Sequence, residues 1–180
     1  MEEQALALFG GAVTASVVGA WFDASDVRPV PDHQEVWCER AGAERSLVIE
    51  LLDRVEAPDD AAATEHFEEL ASGNDASSSA VVSTQRLPVA ACHEAMRTAG
   101  LAFHLRGKQV SASCPGTLHV ELVLLRLAAP STDLLITVTR QAAADVATAV
   151  ASEKAEADRA LVLAVLSSLR VCDWGLFGAE

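Results

Sequence analysis

Tyrosine is absent from the 180 residues and aromatic residues make up only 4%, so the chain has few rings on which nucleobases could stack. Basic residues are scarce too: 13 Lys and Arg stand against 26 Asp and Glu, a formal net charge of −13. A surface of that sign is repelled by phosphate backbones and by anionic lipid, so neither nucleic acid nor a membrane is an expected partner. A basic protein fits better. The longest apolar runs, 122–125 and 160–166, fall far short of the ~20 residues that span a bilayer. The opening Met-Glu-Glu-Gln-Ala-Leu has no basic stretch ahead of an apolar one, which argues against a secretory signal. Cys38, Cys92, Cys114 and Cys172 are widely scattered without a C-x-x-C pair, and free, buried thiols are expected of them in a cytosolic or nuclear protein.

Catalytic signatures are missing as well. Gly10-Gly11-Ala12 is not followed by Lys-Ser/Thr, and Gly107-Lys108 runs into Gln109, so neither is a phosphate-cradling P-loop. No G-x-S-x-G elbow occurs. The histidines at 33, 66, 93, 104 and 119 lack zinc-ligand spacing, and structural or surface roles are expected for them. No metal or organic cofactor is implied, and no enzymatic activity. The competing enzymatic reading would combine His33 or His66 with Asp32 and Glu35.

What is present reads as a folded chain. Hydrophobic residues make up 51%, and this length suits one domain over residues 1–180 that needs no metal or disulfide staple. Strands dominate the middle. In 46–55 the odd positions Leu47, Ile49 and Leu51 are apolar and the even ones mixed, the pattern of a half-buried strand. Residues 80–86 form a short candidate strand, while 72–79, polar and small, reads as a loop. Segments 101–110 and 117–127 flank Pro115-Gly116, a pair suited to a type II turn, and so form an antiparallel hairpin. Residues 132–139 follow too closely for a crossover helix and pair antiparallel as well.

Helices are expected over about 59–71, with Asp59 and Asp60 as capping carboxylates, and over about 145–171. The charged first half of the second helix is expected to project into solvent, and its apolar second half to cross the sheet. The fold class is therefore α+β, an antiparallel sheet of about six strands with helices packed against it.

One segment stands apart. Residues 23–37 are irregular and polar, and Pro29 and Pro31 hold the backbone extended. Such a loop would display Arg28, Asp32, Gln34 and Glu35 in a preorganised array suited to binding. From composition alone it reads equally well as polar groups that satisfy a sheet edge.

Here the residues carry a resemblance. Leu8-Phe-Gly-Gly-Ala12, Asp23-Ala-Ser25 and Arg28-Pro-Val-Pro-Asp-His-Gln-Glu-Val36 resemble the N-terminal signature of the Mog-type Ran guanine nucleotide release factors. Ser46 to Asp53, His66 to Leu70, Gly107-Lys-Gln109, Leu125-Arg-Leu127, Thr132 to Thr137 and Leu176-Phe-Gly178 follow in the family's order. His33 replaces a usual Asn, and Asp53 a usual Glu. The resemblance implies a six-stranded antiparallel sheet flanked by helices, a fold shared with the photosynthetic PsbP proteins. It also implies the small GTPase Ran as partner and a monomer acting in nuclear transport, in nucleus and cytoplasm. An acidic pair that contacts Ran is implied at Glu50 and Asp53. A PsbP-like domain with a different protein partner is the alternative.

Residues three apart on a regular strand face opposite ways, so Glu50 and Asp53 form one patch only if the strand ends near Leu52. Continuing it would bury the Asp53 charge unpaired. The strand is expected to end there and release Asp53 to the surface, with Glu50 solvated, in the bland reading paired with Arg54.

Overall fold

A computed structural model of the chain describes residues 2–40, 42, 45–88, 91–92, 100–111, 116–142 and 148–178. The elements run β1 (Glu3–Leu8), β2 (Val13–Val18), β3 (Trp21–Asp23), β4 (Gln34–Glu39), β5 (Arg45–Asp53), α1 (Asp59–Gly73), β6 (Ala76–Arg86), β7 (Gly100–Ser111), β8 (Thr117–Leu127), β9 (Thr132–Ala142), α2 (Thr148–Ser168) and β10 (Arg170–Val171). Seven strands form one sheet in the order β3-β4-β5-β9-β8-β7-β6, every neighbouring pair antiparallel. A smaller sheet, β1-β2-β10, is also antiparallel.

Both faces of the large sheet are covered, which is why β8 and β9 are buried almost end to end. On β8, Val120, Leu122 and Leu124 pack with Ala62, Ala63 and Phe67 of α1. The alternate residues Val123, Leu125 and Leu127 pack on the other side with Leu161, Val162, Val165 and Leu166 of α2 and with Leu6, Leu8, Val13 and Val17 of the small sheet. Leu47, Ile49 and Leu51 of β5 join that second core, whereas Leu52 faces α1. The α+β antiparallel class read from the sequence holds, with seven strands in the main sheet rather than six.

Several boundaries differ for physical reasons. β6 begins at Ala76, not at residue 80, because an edge strand that is exposed along nearly its whole length needs no apolar alternation. The loop expected at 72–79 shrinks to a turn at Asn74-Asp75. Pro58 is the N-cap of α1 and makes no side-chain cap. Asp59 lies in the first turn, where its carboxylate binds Arg54 and Arg126 instead.

α2 ends at Ser168 rather than 171, because Arg170 and Val171 pair with β2. Its first half is not wholly solvent-facing: Asp158 is 2% exposed and binds Arg140 through two hydrogen bonds. The expected start of that helix at Asp145, the Pro115 turn, Cys114 and His93 lie outside the described residues. Cys38 and Cys172 are free thiols. Cys92 is buried as expected, but Cys38 is only half-buried, and Cys172 is exposed where the chain turns past the small sheet.

Candidate functional site

The polar loop is built from local backbone bonds. Asp23 caps a single 3-10 turn at Ala24–Asp26 by accepting from Ser25 N–H at 2.8 Å, and Arg28 N–H donates to Ala24 C=O at 3.0 Å. The loop closes where Gln34 N–H donates to Pro31 C=O at 2.9 Å, and Leu51 N–H of β5 donates to His33 C=O at 3.0 Å. Arg28, Asp32 and His33 project from this frame and are exposed. The arrangement is anchored at both ends, as the two prolines lead one to expect.

Strand register then sets the site. β4 pairs with β5 so that Gln34 stands opposite Glu50, and Gln34 Nε2 donates to Glu50 Oε1 at 2.7 Å. The loop and the acidic strand therefore share one edge of the sheet. Glu50 is half-buried and paired with Gln34, not with Arg54, which turns toward α1 and binds Asp59 at 2.9 Å. β5 stops at Asp53, whose side chain is exposed. Asp53 still pairs with Thr132, so β5 is regular to its last residue and does not end at Leu52 as expected. Asp53 is exposed at the strand's end, but on the sheet face away from Glu50.

Glu35 behaves differently from its neighbours. It stands opposite Ile49, on the sheet face away from Glu50, and its carboxylate accepts Phe9 N–H at 2.5 Å. Burial raises its pKa, the Phe9 bond offsets part of that, and nearby Asp23 adds to the rise. Its side chain ties the turn after β1 to β4 inside an open cleft of about 450 Å³ that Asp23 and Asp32 also line. Of the six residues singled out, Asp32, Gln34, Glu50, Asp53 and Arg28 line or flank the exposed edge, while Glu35 is spent on holding it.

Of the groups beneath this edge, the sequence reading singled out only His66, and that for an enzymatic site, not for the network that holds it. His66 of α1 is buried, and its Nε2 lies 2.8 Å from Asp133 Oδ2. Asp133 also accepts from Arg126 Nε at 3.1 Å and from Val55 N–H at 3.1 Å. Burial pushes the Asp133 carboxyl upward, but the bonds from His66 and Val55 and the Arg126 charge outweigh it and hold the pKa below its ordinary value. A signal for this network existed: Arg126 and Asp133 each interrupt an apolar strand, and a buried charge there needs a partner.

The enzymatic grouping does not assemble. His66 is bound to Asp133, Glu35 is bound to Phe9 on the other face, and His33 is exposed. Among the described residues, no group of three or more His, Cys, Asp and Glu could hold a metal ion, and no helix is long and apolar enough to cross a membrane.

The chain resembles known proteins throughout this region. A family model described as "Ran-interacting Mog1 protein" matches residues 6–141. The Ran guanine nucleotide release factor of Bos taurus is 38% identical over 137 residues, covering 72% of this chain and 72% of that protein. The Danio rerio protein of the same name is 31% identical over 180 residues, covering 95% and 98%. The crystal structure of the Saccharomyces cerevisiae Ran-binding protein Mog1p matches with a TM-score of 0.80 at 22% identity, over 99% of this chain and 100% of that one. A cyanobacterial PsbP from Synechocystis shares the fold with a TM-score of 0.57 at 11% identity, over 94% and 92%.

Proposed function

Because the chain belongs to the Mog1 family of Ran-interacting proteins, we propose that it is a Ran guanine nucleotide release factor that engages Ran with the edge formed by β4, β5 and the preceding loop. The observation that supports this edge is the Gln34–Glu50 pairing, which sets the Asp32 turn beside Glu50, with Asp53 three residues further along β5. Glu50, Asp53 and Asp32 supply negative charge, while Gln34 and Arg28 add directional donors. Glu35 keeps the loop in place from behind.

Release of a nucleotide requires this protein to make or break no bond. A factor that binds nucleotide-free Ran more tightly than loaded Ran weakens the nucleotide by the same ratio. About 4 kcal/mol of such preference loosens it ~10³-fold. The carboxylates would act by drawing a basic element of Ran away from the nucleotide's phosphates. The relatives in two yeasts are named nuclear import proteins, and we place this chain with them in transport between cytoplasm and nucleus.

The test is the double charge reversal Glu50→Lys with Asp53→Lys. We expect Ran binding to fall by about a hundredfold or more, since like charges meet across the contact, and labelled-nucleotide release from Ran to fall with it. The melting temperature should move little with Asp53→Lys, whose site is exposed, and only modestly with Glu50→Lys, which also gives up the Gln34 hydrogen bond. Binding and release equal to those of the unaltered protein would remove this edge from the interface.

A further inference from the structure

Between α1 and the sheet, opening beside Glu50, lies a groove of about 270 Å³ whose chemistry is one-sided. Two buried polar atoms that line it have no hydrogen-bond partner, Nδ1 of His66 and Oγ1 of Thr137, on residues only 3% and 2% exposed. His66 Nε2 lies 2.8 Å from Asp133 Oδ2, which occupies that side of the ring and leaves Nδ1 as the nitrogen without a hydrogen-bond partner. Glu69 Oε2 stands 3.7 Å from that nitrogen, too far for a hydrogen bond, and adds a second carboxylate to the groove beside Glu50.

Glu50 and Gln34 complete the rim. Glu50 Oε1 already takes the Gln34 amide N–H, which leaves Glu50 Oε2 and the Gln34 amide oxygen as acceptors. The side walls are apolar, with Leu52 and Leu70 among them. A ligand for this groove must bring several N–H donors, positive charge and a hydrocarbon stem.

We propose that the groove is a socket for an arginine side chain of the protein partner. A guanidinium carries five donors in a plane and accepts nothing, which matches the carboxylates of Glu50 and Glu69, the Gln34 amide oxygen and the lone pairs of the Thr137 hydroxyl better than the three donors of an ammonium. Its methylene stem suits the leucine walls. Leaving the buried Thr137 hydroxyl without a partner is costly in the free protein, and satisfying it in the complex adds to affinity. The partner's identity rests on the Ran reading, whereas the socket's chemistry can be read without Ran.

The experiment therefore has two arms. In the first, N-acetyl-arginine methylamide is titrated into the full chain, with the His66 ring nitrogens followed by NMR and the uncharged citrulline analogue as control. The arginine compound should shift His66 Nδ1 saturably, and the citrulline compound should leave it in place. Gly73→Leu should abolish the shift: Gly73 lines the groove, a Cβ there meets nothing within 4 Å, and leucine favours the helix more than glycine does. In the second arm, Gly73→Leu and the near-isosteric Thr137→Val should each weaken binding of nucleotide-free Ran about tenfold.

An arginine probe that leaves His66 unmoved, or that binds Gly73→Leu as well as it binds the unaltered chain, overturns the socket whatever Ran does. Ran binding undiminished in both variants overturns the socket as a partner contact while leaving the release-factor reading intact. A chain that takes the arginine probe but fails to bind Ran overturns that reading and keeps the socket.

Discussion

A carboxylate with no solvent exposure, such as that of Asp133, stays ionised in a core only when donors surround it. His66, Arg126 and Val55 N–H are those donors, and Arg126 in turn donates to Val55 C=O, Ala57 C=O and Asp59. One ion pair thereby fastens the connection that leaves Asp53 and enters α1, fixing the acidic strand end and His66 together. Asp133→Ala strands the Arg126 charge and should cost about 3 kcal/mol in urea unfolding at neutral pH. The pKa of Asp133 is lower in the folded chain than its ordinary 3.8. Its contribution is therefore complete above that value and is lost as pH falls through the folded pKa. Asp133→Asn should accordingly lose stability at neutral pH and show a flatter acid limb below about pH 4; an acid limb as steep as the unaltered protein's would place the sensitivity elsewhere. Little of this was legible residue by residue. Glu50 and Asp53 were singled out by the family resemblance, and strand parity, a local property, added only which way each would face; the partners of Arg126 come from the β5–α1 connection and from β9, and only folding brings them together.

At the level of elements, the close seat of α1 on the sheet depends on a gap in β7. A Cβ built on Gly107 would come within 2.4 Å of Phe67 Cε2, so the ring of α1 lies where any larger residue's side chain would begin. Gly107→Ala should force Phe67 off its seat and cost about 2 kcal/mol in thermal or urea unfolding. Pairing it with Phe67→Leu should restore part of that loss, and an unchanged melting temperature in the single variant would show that the helix can lift without penalty. The same glycine illustrates what sequence patterns convey. Gly107-Lys108-Gln109 had the wrong neighbours for a P-loop, but its packing role depends on a helix far away in the chain. Elements with strong alternation, such as β5, β7 and β8, were readable to within one or two residues, because one-sided or layered burial leaves its period in the side chains. β6 was half missed: its outer edge touches only solvent, so Ser77, Ser78 and Ser79 served as well as valines. β1 and β2 were not foreseen, although Leu6, Leu8, Val13, Ala15 and Val17 alternate toward the core, because Gly10-Gly11 drew attention as a motif rather than as the turn between them.

Across the whole molecule, the distribution of charge matters as well as its total. Arg45 binds Glu39, Arg54 binds Asp59, Arg106 binds Glu121 and Glu156, Arg126 binds Asp133, and Arg140 binds Asp158. Much of the basic complement is thus spent inside the fold or between its layers, while Asp32 and Asp53 stay exposed at the β4–β5 edge, with Arg28 the exposed cation of the same loop. The net charge of −13 makes the field that an approaching protein meets negative overall. Encounter with a cationic face of Ran should therefore be steered: the association rate constant should fall about tenfold between low salt and ~0.5 M, where the screening length drops below 5 Å. Dissociation should change far less, because contacts already formed exclude the screening ions. Stopped-flow mixing with Ran carrying a fluorescent nucleotide resolves the two rates. Glu50→Lys with Asp53→Lys should flatten the salt dependence of association, while Glu68→Gln on the outer face of α1 should leave it steep. If the slope survived the double reversal, the steering charge would have to lie on another face, and the β4–β5 edge would lose its claim to be where Ran first lands.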